Sequence, residues 1–232
     1  MLKKKMLPIY DAGYIHLDRQ YLTIGVNGVV EAAQYLGMNI SYNPEYVTWL
    51  KNILQTIKQE NELARDVFPK GVIFNTEFVP AENLGIKNAL WDKKAGLKTF
   101  RDAYNSYFYI VEDDTINILD KFKLYGREIT EYLDGGSALH LNLEEYLSKE
   151  AWLKLLDVAS TVGCNYFTYN VPITICNKCG TIDKRNLNKC SKCGSEDVDK
   201  ATRIIGYLKR ISSFSKDRQI EAQKRYYHII NK

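Results

Sequence analysis

No stretch of this chain approaches the run of about 20 apolar residues that a membrane-spanning helix needs. The lysines Lys3-Lys4-Lys5 are followed by Pro8 and Tyr10-Asp11, not by the apolar core of a signal peptide. No membrane partner is therefore expected. Charge of one sign is not in excess: 32 basic against 28 acidic residues leave a net +4. That is too mild and too scattered for a phosphate-binding face, and Lys3–Lys5 reads as a solvated start. Internal repeats and low-complexity segments are absent. Cysteine is sparse and odd in number, at five of 232 residues. An odd count argues against a disulfide framework and for reduced thiols, which points to the cytoplasm. With 45% hydrophobic and 26% charged residues, disorder, collagen and coiled coil are excluded as the main architecture. The length suffices for one or two domains with a sizeable core.

What is present alternates between helix and strand patterns. Ile24–Leu36 carries apolar residues at helical spacing and stops at Gly37. Asn43-Pro44 reads as an N-cap with proline at the first helical position. It opens a helix over Pro44–Phe68 with Val47, Leu50, Ile53, Leu54 and Ile57 on one stripe. Pro69-Lys70-Gly71 breaks the chain, and a strand begins at Val72-Ile73-Phe74 and runs toward Pro80. Tyr107–Val111 reads as a strand. Asp114 or Thr115 caps a helix from Ile116 to about Leu133, ended by Gly135-Gly136, and Ala138–Leu143 is extended. Ser148 caps a helix carrying Trp152, Leu155, Leu156 and Val158, closed by Gly163. Asn165–Ile175, rich in Tyr, Phe, Thr, Val and Ile, reads as strand. Arg203–Leu208 is a short stretch, and Lys216–Tyr227 a charged terminal helix. This alternation predicts an α/β fold.

Between these segments lies Cys176-x2-Cys179-x10-Cys190-x2-Cys193. Each Cys-x2-Cys turn can aim two thiolates at one ion, and Gly180 and Gly194 follow the pairs, where a left-handed residue lets backbone amides turn toward sulfur. Four thiolates suit tetrahedral Zn²⁺ in a closed site without an open coordination position. An iron–sulfur cluster could use the same ligands. The knuckle interior is basic (Lys178, Lys184, Arg185, Lys189, Lys192) but holds no aromatic residue for base stacking, so no nucleic acid is expected.

Downstream, Arg203-Ile204-Ile205-Gly206-Tyr207-Leu208 places a glycine among β-branched residues. Taken alone it reads as a bulge or a close backbone approach. Two Cys-x2-Cys pairs followed by this motif, however, resemble the C-terminal region of the anaerobic (class III) ribonucleotide reductases. The resemblance extends to Tyr21-Leu22-Thr23-Ile24-Gly25-Val26-Asn27-Gly28 with Glu31-Ala32, to Val79-Pro80-Ala81-Glu82, and to Leu133-Asp134-Gly135-Gly136 with His140. It implies the C-terminal part of a ten-stranded α/β barrel over residues 1–175, a zinc knuckle over 176–199, and a glycyl radical loop with a C-terminal helix over 200–232. It implies a stable radical on Gly206, installed by a radical-SAM activase. The family's thiyl cysteine and allosteric modules lie further toward the N-terminus than anything in this chain, and family members are far longer. The chain would therefore act on ribonucleotides, as triphosphates, together with an N-terminal part that supplies the thiyl. Two other readings remain: a replacement radical subunit for a damaged enzyme, and a non-catalytic zinc-binding interaction module.

Pro80 breaks its strand, so Glu82 falls at a strand end, where α/β sites collect. By resemblance it faces the ribose; its other reading is a helix N-terminal acid. Glu77 is the rival carboxylate. His140 reads as a packed, hydrogen-bonded histidine, His16 and His228 as surface residues, and Cys164 as a buried apolar-type thiol. Gly25-x2-Gly28 lacks the strand–G-x-G-x-x-G–helix context of a dinucleotide site.

Overall fold

The computed structural model describes residues 1–68, 72–78, 83–204 and 207–230. After a short turn of helix α1 (Pro8–Asp11), strand β1 (Tyr21–Val26) leads into helices α2 (Val29–Tyr35) and α3 (Pro44–Val67). Asn43 caps α3 as expected, its Oδ1 accepting from the Tyr46 amide at 2.9 Å. The α3 stripe buries Tyr46, Val47, Leu50 and Leu54, and Asn61 near its end donates to Thr76 Oγ1 at 2.9 Å. That bond fixes α3 against strand β2 (Ile73–Phe78), which pairs parallel with β1 in the register Ile24↔Thr76.

Helices α4 (Leu84–Lys94), α5 (Ile118–Leu124) and α6 (Arg127–Thr130) precede strand β3 (Leu139–Asn142). Helix α7 (Lys149–Val162), capped by Ser148 through the Ala151 amide at 3.2 Å and ended at Gly163, leads to strand β4 (Phe167–Asn170). β3 and β4 are parallel, with His140↔Thr168 and Asn142↔Asn170. A parallel bridge between Glu77 and Gly136 joins the two pairs, so successive β–α units lie side by side as the alternation requires. The chain then turns antiparallel. Strands β5 (Ile173–Cys176), β6 (Ile182–Asp183), β7 (Val198–Ile204) and β8 (Tyr207–Arg210) form one sheet in the order β6-β5-β7-β8, followed by helix α8 (Lys216–Lys224). The fold is thus mixed α/β.

Period-2 alternation divides the parallel strands into two faces. Phe74, Thr76 and Phe78 of β2 and Leu139 and Leu141 of β3 are buried, and Phe78, Leu139 and Leu141 share a core with Leu50, Leu54, Phe122 and Leu155 from the helices. The opposite face carries Asn75, Glu77, His140, Asn142, Thr168 and Asn170.

Four expectations are corrected. The helix expected over Ile24–Leu36 starts only at Val29, because Tyr21–Val26 is drawn into the ladder with β2. Tyr107–Val111 is not a strand. Its backbone finds scattered partners instead of a ladder, Tyr46 Oη donating to the Phe108 carbonyl at 3.0 Å, the Val111 amide to Asn105 Oδ1 at 3.3 Å and the Tyr226 amide to the Val111 carbonyl at 3.0 Å. The helix expected over Ile116–Leu133 is two, and its cap is Asn117. It breaks at Gly126, where a Cβ would stand 2.7 Å from the Val162 carbonyl, so α7 crosses where only glycine fits. Asn165–Ile175 is split at Val171-Pro172 into β4 and β5, which belong to different sheets. Pro69–Gly71 and Pro80 lie outside the described residues.

Candidate metal centre and polar sheet face

The four cysteines come together as their spacing predicts, with all Sγ atoms within 4.8 Å of one another. Cys176–Cys193 and Cys179–Cys190 are each 3.6 Å apart. A tetrahedron with metal–sulfur bonds of about 2.3 Å has sulfur–sulfur edges of about 3.8 Å, so the cage has the size for zinc. The two halves are built alike. In each, the glycine amide returns to the first cysteine's carbonyl at 3.0 Å, Gly180 to Cys176 and Gly194 to Cys190. In each, the second cysteine's amide points at the first one's sulfur, 3.4 Å for Cys179 and 3.5 Å for Cys193. Both glycines are left-handed, at φ +72° and +70°. Thr181, 3.2 Å from Cys179 Sγ, lowers that thiol's pKa to about 6. The amides of Cys193 and Lys192 lower that of Cys190. This donor set can hold a metal ion such as zinc.

The knuckle is fastened to the strands downstream of it. Cys176 ends β5 and sits opposite Val198 of β7. Asn177 binds Asp197 through backbone and side chain, and Arg210 of β8 reaches Asn177 Oδ1 at 2.7 Å. β7 and β8 pair as a hairpin with Ile204 opposite Tyr207. Gly206 falls between them in sequence and, like Glu82, lies outside the described residues.

On the polar sheet face, Asn170 Nδ2 donates to Asn142 Oδ1 at 3.1 Å. Arg203 of β7 donates from Nη1 to Thr168 Oγ1 at 2.8 Å. This bond links the knuckle's sheet to the parallel one. Around the end of β1, Asn27 Nδ2 donates to the Asn105 carbonyl and Ser106 Oγ, and Asn88 Nδ2 to Asn27 Oδ1. Glu31, buried on α2, accepts from Arg101 and from the backbone and side chain of Asn105. Sequence reading named Arg203 only as part of its motif and missed Thr168, Asn142 and Asn170. The available signal was parity with His140 along β3, which becomes readable once β3 and β4 are in register.

Cys164 is buried, as expected, and burial pushes its thiol up to about 11. His16 is exposed. His228 corrects an expectation: it is half-buried, with Nε2 2.7 Å from Lys121 Nζ and its backbone bridged to Leu143. Helical patterning near the chain end hid this. Burial first, then Arg203 and Arg225, lowers the His140 pKa to about 4. Burial and Lys121 do the same for His228. Both groups sit below their usual 6.5, so the fold favours their neutral forms. Their contribution to stability is complete above about pH 6.5 and is lost as pH falls through about 4. Denaturant midpoints measured from pH 7.5 to 4 should therefore fall steadily, and His228→Asn should flatten part of that fall. A flat profile in the parent protein would contradict the burial of both rings.

These features define an α/β protein in which a polar sheet face and a tetrathiolate knuckle meet at one antiparallel hairpin. The chain belongs to the anaerobic ribonucleoside-triphosphate reductase family, whose profile matches residues 1–228. A solved structure described as an anaerobic ribonucleotide reductase superposes with a TM-score of 0.85 at 31% identity, covering 99% of this chain and 37% of that one. The anaerobic ribonucleotide reductase from Thermotoga maritima in complex with dATP and CTP gives 0.78 at 30%, covering 94% and 36%. The same enzyme with glycerol in its active site gives 0.78 at 30%, covering 98% and 36%. This chain therefore spans little more than a third of the length of the structures it resembles. Comparison with curated proteins gives no match. Among the described residues no helix is long and apolar enough to cross a membrane.

Proposed function

We propose that this chain is the radical-bearing C-terminal part of an oxygen-sensitive anaerobic ribonucleotide reductase of the cytoplasm. Residues 1–175 would form its share of a ten-stranded barrel, 176–199 the zinc knuckle, and 200–232 the radical loop and C-terminal helix. One observation carries the reading: in a chain of this family, the motif Arg203–Leu208 directly follows a tetrathiolate knuckle whose strands β7 and β8 flank Gly206. Hydrogen loss from Gly206, to a radical-SAM activase, leaves a Cα radical delocalised over the flanking amide and carbonyl. A side chain would crowd that planar centre. The N-terminal part would supply the cysteine whose thiyl takes hydrogen from the ribose C3′, after which the 2′-hydroxyl leaves as water. Glu82 would hold a ribose hydroxyl or accept its proton. Two electrons must then come from an external reductant. Zinc held by Cys176, Cys179, Cys190 and Cys193 would have no chemical step and would fasten the hairpin.

The requirement for an N-terminal part is supported by the open side of the parallel sheet. On β1, Tyr21, Leu22 and Ile24 are 60%, 47% and 41% exposed, and among the described residues β1 pairs only with β2. Such an edge invites a partner strand, and an obligate partner buries more than the standard interface of about 1,600 Å². The test is incubation with a radical-SAM activase under anaerobic conditions. The expected result is a glycyl signal by electron paramagnetic resonance, with deoxyribonucleotide formed only after an N-terminal reductase chain is added. A persistent absence of signal in the activated mixture would reduce the chain to a zinc-binding module. Turnover by the chain alone would show that Cys164 had been misjudged.

A further inference from the structure

The two halves of the knuckle follow one pattern, Cys176-x2-Cys179-Gly180-Thr181 and Cys190-x2-Cys193-Gly194-Ser195. In each the first cysteine is buried, Cys176 at 1% and Cys190 at 6% exposure, and the second is exposed. A reagent arriving from solvent therefore meets Cys179 or Cys193. The halves differ in what serves these two sulfurs. The amide two residues on points at each, that of Thr181 at Cys179 and that of Ser195 at Cys193. Thr181 adds its hydroxyl, 3.2 Å from Cys179 Sγ. The Ser195 hydroxyl is engaged elsewhere, accepting from the Asp197 amide at 3.1 Å, and among the described residues no hydroxyl reaches Cys193 Sγ. With metal bound all four sulfurs are thiolates, so protonation does not rank them. Access and the availability of the sulfur lone pair do, and a hydrogen bond to sulfur lowers that availability.

We propose that Cys193 is the modification site of the loaded knuckle, the sulfur at which soft electrophiles enter the cage, and that the Thr181 hydroxyl withholds Cys179 from the same reaction. Thr181 binds no metal and acts through the thiolate it touches. The step is an addition. Cys193 Sγ attacks an electron-poor alkene, a carbon–sulfur bond forms as the double bond opens, and the resulting carbanion takes a proton from water. The product is a neutral thioether, a poorer ligand than the thiolate it replaces, so one corner of the cage is lost. The consequence falls on the hairpin. Asp197, four residues after Cys193, holds Asn177 through backbone and side chain, and Asn177 holds Arg210 of β8. The inference rests on the reading that the knuckle carries zinc and is independent of the radical assignment.

The test treats the full chain, after metal analysis for zinc, with substoichiometric N-ethylmaleimide. A chain that holds no zinc overturns both readings; every later failure overturns this one alone. Cleavage after lysine puts each ligand in its own peptide, because Lys178, Lys184, Lys189 and Lys192 separate them. Mass spectrometry is expected to find the first label on Cys193, in step with zinc release read by a chromogenic chelator, and none on buried Cys164. Thr181→Val removes the hydroxyl with little change of shape. It should keep its zinc while labelling of Cys179 quickens about tenfold, for the loss of one hydrogen bond to a charged group. Thr181→Ser, which keeps the hydroxyl, should retain the order of the parent protein. Label found first or equally on Cys179, a zinc-loaded chain that takes no label, label on Cys164 alongside Cys193, or Cys179 labelling unchanged in Thr181→Val would each overturn the proposal.

Discussion

Admitting air to the activated protein is expected to cut the chain once, releasing a piece of about 27 residues that runs from Gly206 to Lys232. A backbone-centred radical adds O₂, and the peroxyl product fragments the chain at that residue. The length of the fragment therefore reads out the position of the radical. Before activation the chain should survive air intact. Gly206→Ala should abolish both the cleavage and the paramagnetic signal, because a methyl group opposes planarity at Cα and narrows the accessible backbone angles. The same variant should keep its metal, since the cysteines hold their cage through contacts made within the knuckle itself. Mass spectrometry of the air-exposed sample decides the matter. A cut at Gly180 or Gly194 would move the radical into the knuckle, and no cut in a sample shown to carry a radical would end the glycyl reading.

Features encoded within a few residues were legible in the chain. Asn43 and Ser148 cap their helices through their own side chains, and Gly163 terminates α7. The metal cage is local in the same sense, each half being closed by amides of the same turn. What escaped depends on partners far along the chain. Ile24–Val26 reads as the start of a helix by periodicity and instead ends β1, because β2 lies beside it. Tyr107–Val111 has strand composition, yet Tyr46, Asn105 and Tyr226 bind its backbone and leave its rings to fill the core. The polar face behaves likewise. His140 could be singled out as a rare residue, whereas Thr168 and Asn170 matter only through their register with β3. Arg203 joins them only because an antiparallel sheet built on the knuckle brings it there.

Replacing any one of Cys176, Cys179, Cys190 or Cys193 by serine should remove the metal and loosen the β7–β8 hairpin while leaving the α/β region folded. Losing an outer-shell partner costs about 10- to 100-fold in metal affinity, and losing a ligand should cost more. Folding and metal binding are linked where little local core exists, and here the buried residues of the knuckle are chiefly Cys176 and Cys190 themselves. The damage should travel along defined bonds. Cys176 faces Val198 at the start of β7, and Asn177 holds Arg210 at the end of β8, so both strands of the hairpin are anchored at the cage. Hydrogen exchange should therefore quicken at Tyr207–Arg210 while α3 amides such as Leu50 and Leu54 keep their protection. The radical yield after activation should fall with the metal content. Lys192→Ala, which leaves all four thiolates, should retain one metal per chain and serves as the control. Metal analysis showing full zinc in the cysteine variants, or a coloured iron–sulfur protein in the parent chain, would overturn the assignment. Metal loss without faster exchange in the hairpin would instead detach the knuckle from the loop it is argued to hold.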